Sequence, residues 1–160
     1  MGIIEAIAAD HAEASALFDE LAPLAGDDRH PSETMRIAAR LAIAVKTCAL
    51  AEQKVLYEAL KTAGSRLAAF ALEGPHEHHA LDVVLDKLLA LRPGRELKAV
   101  VAVAQRMFRH HVDREAREVW PAVCAELPAD EAAQLGRDLA VEKRLLRPRI
   151  ERQVVPARAA

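Results

Sequence analysis

A pair of ligand-bearing segments occurs twice in this chain, and that repeat constrains the fold more than any other feature. Asp10-His11 precedes Phe18-Asp19-Glu20-Leu21 with the same internal spacing that separates Glu77-His78 from Leu85-Asp86-Lys87-Leu88, at an offset of 67 residues. Cys48, Glu52 and Tyr57-Glu58-Ala59-Leu60 align in the same way with His111, Glu115 and Trp120-Pro121-Ala122-Val123 at an offset of 63. The repeated unit is a helix with an acid–His pair, followed by a helix with a His-x-x-x-Glu motif in which Cys48 takes one His position. Two such units packed face to face bring six candidate ligands into one core, which is how di-metal sites in helical bundles are assembled.

The remaining composition agrees with a helical reading. Ala and Leu dominate and aromatics are only 3% of the 160 residues, a mixture that favours helices over strands. That length suits one domain with a single substantial core. The expected architecture is all-α: an up-down four-helix bundle over residues 1–147 with a short C-terminal accessory helix, then a basic tail over 148–160. The apolar rhythm places a first helix from Gly2 to Pro23 and a second, capped by Ser32, to about Ala63, with Gly64-Ser65 ending it. A short stretch from Arg66 to Glu73 is expected to break at Gly74-Pro75 before a third helix to Leu91. The fourth spans Glu96 to Leu127 with a kink at Pro121, and the fifth Asp130 to about Leu146, followed by a frayed segment from Pro148.

Residues four apart stack on one helix face, so His111 and Glu115 point together, as do Cys48 and Glu52. Both glutamates fall on apolar stripes, where a carboxylate is costly unless it is paired or binds a cation. Imidazole with carboxylate suits iron or manganese in a bundle and is also acceptable to zinc. Cys48 is a candidate sixth ligand, although its side chain is shorter than imidazole, and a buried Cys also serves as a small apolar filler. Asp82, one turn after His78, is read as solvated or as support for that ligand. His30 is read as a loop residue, His110 as a surface residue or a support behind the ligands, His76 and His79 as exposed or, if the third helix is rotated, as alternative ligands, and Cys124 as core.

These segments resemble the hemerythrin-like family of His-His-Glu cation-binding domains over about residues 3 to 127. In that family the first and third helices each give a His, and the second and fourth each give His-x-x-x-Glu followed by an aromatic-Pro pair. Here Asp10-His11, Glu52 with Val55-Leu56-Tyr57, Glu77-His78, and His111 to Glu115 with Val119-Trp120-Pro121 match. The resemblance implies a non-haem, carboxylate-bridged di-iron site, with His11, His78 and His111 as terminal ligands and Glu52 and Glu115 as bridges. The departures are Cys48 for His, Gln53 and Ala116 where a second Glu is common, and Glu58 where Pro follows the aromatic residue. They make the half-site built on His11 the damaged one and leave His78, His111 and Glu115 as the intact one.

The expected function is therefore a metal-binding protein, with one or two irons used in a redox response to, or sensing of, oxygen, peroxide or nitric oxide. The alternative is a degenerate bundle without di-iron chemistry that acts as an interaction or regulatory domain. No nucleophile, phosphate loop or dinucleotide motif supports another catalytic class, so no residue is assigned a catalytic role. A net charge of −2 argues against nucleic acid, and the run from Lys143 to Arg152 reads as a solvated helix end. The chain is expected to be cytoplasmic, with neither a signal peptide nor a membrane span. Expected partners are a small diatomic ligand or peroxide, with a homodimer or a regulatory protein as further options.

Overall fold

Apolar residues at helical spacing drive five long helical units in the computed structural model, which describes residues 2–62 and 65–155. We number them α1 (Ile3–Leu21), α2 (Pro31–Glu52), α3 (Ser65–Ala90), α4 (Arg95–Arg114) and α5 (Ala129–Val154). α2 continues through a π-helical turn (Gln53–Tyr57) into Glu58–Leu60, and α4 through a second π turn (Glu115–Val119) into Trp120–Glu126. Among the described residues there is no strand. The fold is all-helical, as the sequence predicts.

Two apolar clusters explain how the bundle closes. One joins the start of α1 (Ile3, Ile7) to the end of the second unit (Leu56, Leu60), the start of α3 (Leu67, Phe70) and the end of the fourth unit (Val119, Val123). The other joins Leu17 and Phe18 to Leu41, Leu85 and Phe108 at the opposite end. Each end thus combines starts of odd-numbered helices with ends of even-numbered ones, or the reverse, which is the up-down-up-down arrangement. Between the clusters lies a polar layer formed by His11, Glu52, His78, His111 and Glu115, all of them buried. The α3–α4 turn is tied down by Gly94, whose φ of 154° favours glycine and whose N–H donates to the Ala25 carbonyl at 2.8 Å.

Several boundaries differ from the expected ones. α2 starts at Pro31 rather than after Ser32, because a proline ring is already set for the first helical position. α3 does not break at Gly74-Pro75. Buried Gly74 lets the Tyr57 ring approach so closely that a Cβ there would lie 2.3 Å from its Cε2, and this packing holds the helix across the proline. The distortion expected at Pro121 appears one turn earlier as the Glu115–Val119 π turn, which leaves Pro121 in the first turn of the following segment. The stop expected at Gly64 lies outside the described residues.

The accessory helix is not short. α5 has 26 residues, packs on α1 and α2, and runs through Pro148 to Val154. Pro148 and Arg144, whose carbonyl loses its helical partner, are both exposed, while Leu146 and Ile150 anchor the inner face on either side. The frayed segment expected from Pro148 is therefore helical to Val154, and the last residues of that segment, 156–160, lie outside the described residues. Among the described residues no helix is long and apolar enough to cross a membrane.

Candidate metal centre

The polar layer is built by helix periodicity. His111 and Glu115 share one face at the end of α4, as Cys48 and Glu52 do on α2. Each glutamate is followed directly by, or begins, a π turn. That wider turn resets the register, so that Tyr57 and Leu56 beyond Glu52, and Val119 beyond Glu115, also face the core.

Five of the expected ligands converge. One oxygen or nitrogen from each of His11, Glu52, His111 and Glu115 lies within 4.8 Å of the others. His11 Nε2 is 3.4 Å from Glu52 Oε1 and its Nδ1 is 3.7 Å from Glu115 Oε2. His78 Nε2 lies 3.3 Å from Glu52 Oε2 and 3.2 Å from His111 Nε2. His111 Nε2 in turn is 3.7 Å from Glu115 Oε1. The expected contrast between a damaged His11 half and an intact His78 half is not the one the geometry draws, because His11 sits inside the tightest group of four.

Cys48 stands outside that group. Its thiol donates to Glu52 Oε1 at 2.7 Å and is 3.6 Å from Asp10 Oδ2. Burial, and then the Glu52 charge, push the Cys48 thiol well up, so it stays protonated and acts as a donor. Behind it, Lys143 of α5 pairs with Asp10 and couples the fifth helix to the site.

A shell of side chains orients these rings and carboxylates. Gln53 Nε2 meets His78 Nδ1 at 3.1 Å, and Glu77 Oε2 meets His111 Nδ1 at 3.0 Å. Glu77 is itself paired with Arg114. The hydrogen bond with His111, and after it the Arg114 contact, outweigh partial burial and hold Glu77 at about 2. Tyr57 donates its hydroxyl to Glu115 Oε1 at 3.1 Å and stacks on the His78 ring. Sequence reasoning gave Glu77, Gln53 and Tyr57 no role in supporting ligands. The signals present in the sequence are the repeated acid–His pair that contains Glu77, the aromatic Tyr57 of the matched motif, and Gln53 as the direct neighbour of Glu52.

The charge state of the two carboxylates is set by their surroundings. Burial alone would raise Glu52, but the His11 and His78 rings, 3.4 and 3.3 Å away, outweigh it and hold Glu52 well below the usual carboxylate range. Burial, and then the charge on Glu52, push Glu115 up to about 7. His11 is raised, because Glu52, Glu115 and Asp10 together outweigh its burial.

These residues fit a cation. Among the described residues, the buried side-chain oxygens without a partner are Thr47 Oγ1, Glu52 Oε2 and Glu115 Oε2, and two of these three belong to the site. A buried carboxylate oxygen left bare is costly unless something positive faces it. With their Nδ1 atoms engaged, His78 and His111 turn Nε2 inward, the arrangement that prepares an imidazole for a metal.

Other residues fall elsewhere. Asp82 pairs with Lys46 at 2.5 Å rather than with His78. His30, His76, His79 and His110 are exposed. Cys124 is exposed and not part of the core, because the register after the π turn directs Ala122 and Val123 inward instead.

No curated protein and no solved structure matches the chain significantly. The family model described as the hemerythrin HHE cation-binding domain matches residues 2–123, which takes in α1 through Val123 and all five converging residues. The chain belongs to the hemerythrin HHE cation-binding domain family.

Proposed function

We propose that this protein holds non-haem iron, one or two ions per chain, and uses it in a redox response to, or sensing of, oxygen, peroxide or nitric oxide. The observation that carries this reading is the pair of bare, buried carboxylate oxygens on Glu52 and Glu115, faced by inward-turned imidazoles. His11, Glu52, His78, His111 and Glu115 would hold the metal. Mixed imidazole and carboxylate donors suit iron, with manganese and zinc as competitors. Bound iron supplies redox chemistry and open coordination positions for a small ligand.

The chain's own residues do the rest. Phe108 packs edge-on against His11, and the two apolar clusters bound the layer at either end. Glu77 and Gln53 fix the ring orientation of His111 and His78, and Tyr57 offers a proton donor to Glu115. The Cys48 thiol satisfies the second oxygen of Glu52, leaving one oxygen of that carboxylate bare.

A second reading, a degenerate bundle serving as an interaction or regulatory domain, is favoured only by Cys48 at a family His position. Metal analysis combined with absorption spectroscopy of anaerobically prepared protein decides between them. Bound iron with a spectrum that changes on exposure to air supports the redox reading. Metal-free, folded protein supports the other.

A further inference from the structure

A cavity of about 520 Å³ lies between α2, α3 and the last turns of α5, and neither a metal nor a diatomic ligand accounts for its size. Pockets of about 300–1,000 Å³ hold organic molecules. Its wall toward the polar layer is formed by Val45, Ala49 and His78, and the same three residues line the small void around His11, Glu52 and His111. The Gln53–His78 hydrogen bond also stands on this wall. The cavity therefore abuts the His11–Glu52–His111 layer through Val45, half-buried Ala49 and the His78 imidazole.

The lining is amphipathic. Leu85, Leu89, Ile150 and Val154 provide an apolar side, and Ile150 and Val154 come from the turns of α5 beyond Pro148. The charged residues are Lys46, Asp82 and Asp86. Lys46 Nζ is bound to Asp82 Oδ1 at 2.5 Å and to Asp86 Oδ1 at 2.8 Å, and its side chain is only 11% exposed. One ammonium shared between two carboxylates leaves an excess negative charge beside an apolar wall. The two aspartates keep 45% and 66% of their side-chain surface open to an incoming group.

We propose that this cavity binds an organic ammonium compound with an aliphatic body, its charge against Asp82 and Asp86 and its body against Leu85, Leu89 and Ile150. A carboxylate of the same shape meets the excess negative charge and is repelled, and an alcohol gains only the apolar contact. The binding stands on the cavity alone. That it places the ligand beside a metal rests on the reading of the preceding subsection.

The test measures binding of hexylamine, hexanol and hexanoate to the full chain by calorimetry, with the metal content of the same sample determined in parallel. Hexylamine is expected to bind about fivefold or more tighter than hexanoate, with a preference that shrinks as salt rises. Asp82→Asn with Asp86→Asn leaves Lys46 as the remaining charge and should reverse the order in favour of hexanoate. Ala49→Trp should fill the inner wall and weaken all three ligands, with circular dichroism confirming that the variant is helical. Absence of hexylamine binding, equal or tighter binding of hexanoate, or an unchanged order in the double variant would overturn the proposal. A metal-free sample that still binds hexylamine would count against the iron reading and leave this one standing.

Discussion

The Nε2 atoms of His78 and His111, on separate antiparallel helices, face each other across 3.2 Å while the opposite nitrogen of each ring is held from behind. At that distance the two rings can share a hydrogen bond, and the same placement suits two nitrogens on one cation. The supports behind them should therefore matter. Glu77→Ala removes the partner of His111 Nδ1 and leaves Arg114 without that contact. Metal affinity is expected to fall by about 10- to 100-fold, as for other outer-shell partners of a metal-binding His. Competitive chelator titration of this variant, checked for folding by circular dichroism, measures it. Unchanged affinity would show that Glu77 is only a surface ion-pair residue.

The histidines should not be equivalent. His111 touches both Glu115 and His78, and it belongs to the group of four with His11 and Glu52. His111→Ala is expected to abolish most metal binding. His78→Ala leaves the group of four intact and should keep about one ion per chain, within the bundle logic of side chains from facing helices. Metal analysis of both variants decides, and equal losses would contradict the ranking.

The buried His and Glu stripe was legible in the sequence because helix periodicity is local. His111 and Glu115 share a face whatever else the chain does, and the internal repeat says that two such faces meet. The supporting shell was not legible. Glu77 meets His111, and Gln53 meets His78, across helix pairs whose rotation no local pattern specifies. The π turns after Glu52 and Glu115 also shift the register without a sequence signature. Cys124, which helical periodicity alone places in the core, is therefore exposed, and Gly74-Pro75, which reads as a break, is packed against Tyr57.

Position 48 tests descent from a fuller ligand set. Cys48 and Glu52 share a face one turn apart, matching His111 and Glu115, so Cys48→His directs an imidazole into the layer without moving the backbone. Overpacking costs about 1–3 kcal/mol, which bound metal can offset. Bound iron is expected to rise from about one toward two per chain, with a new visible absorption band in air. An unchanged stoichiometry in a folded Cys48→His variant would show that position 48 is not a vacated ligand site.

Metal binding should release a proton. Burial and the Glu52 charge hold the Glu115 carboxyl up to about 7 in the metal-free protein, so below that pH it carries a proton that a cation must displace. Affinity should thus weaken as the pH falls through 7, with more protons released per ion at pH 6 than at pH 8, from Glu115 and from His11, whose raised pKa also keeps it protonated there. Calorimetric titration in two buffers of different ionisation enthalpy counts the protons. A release that is the same at both pH values would contradict this assignment to Glu115.

If the buried layer of His11, Glu52, His78, His111 and Glu115 is a metal centre, the purified protein should carry the metal. The most direct measurement is the metal content of the full chain, purified anaerobically without chelator, together with its absorption spectrum before and after exposure to air. At least about one iron per chain is expected, with a visible spectrum that changes in air. Removing the metal should also lower the melting temperature while leaving the helices in place, because the two apolar clusters do not depend on it. A folded protein that arrives without iron, manganese or zinc, and whose melting temperature none of them raises, would contradict the metal-centre reading.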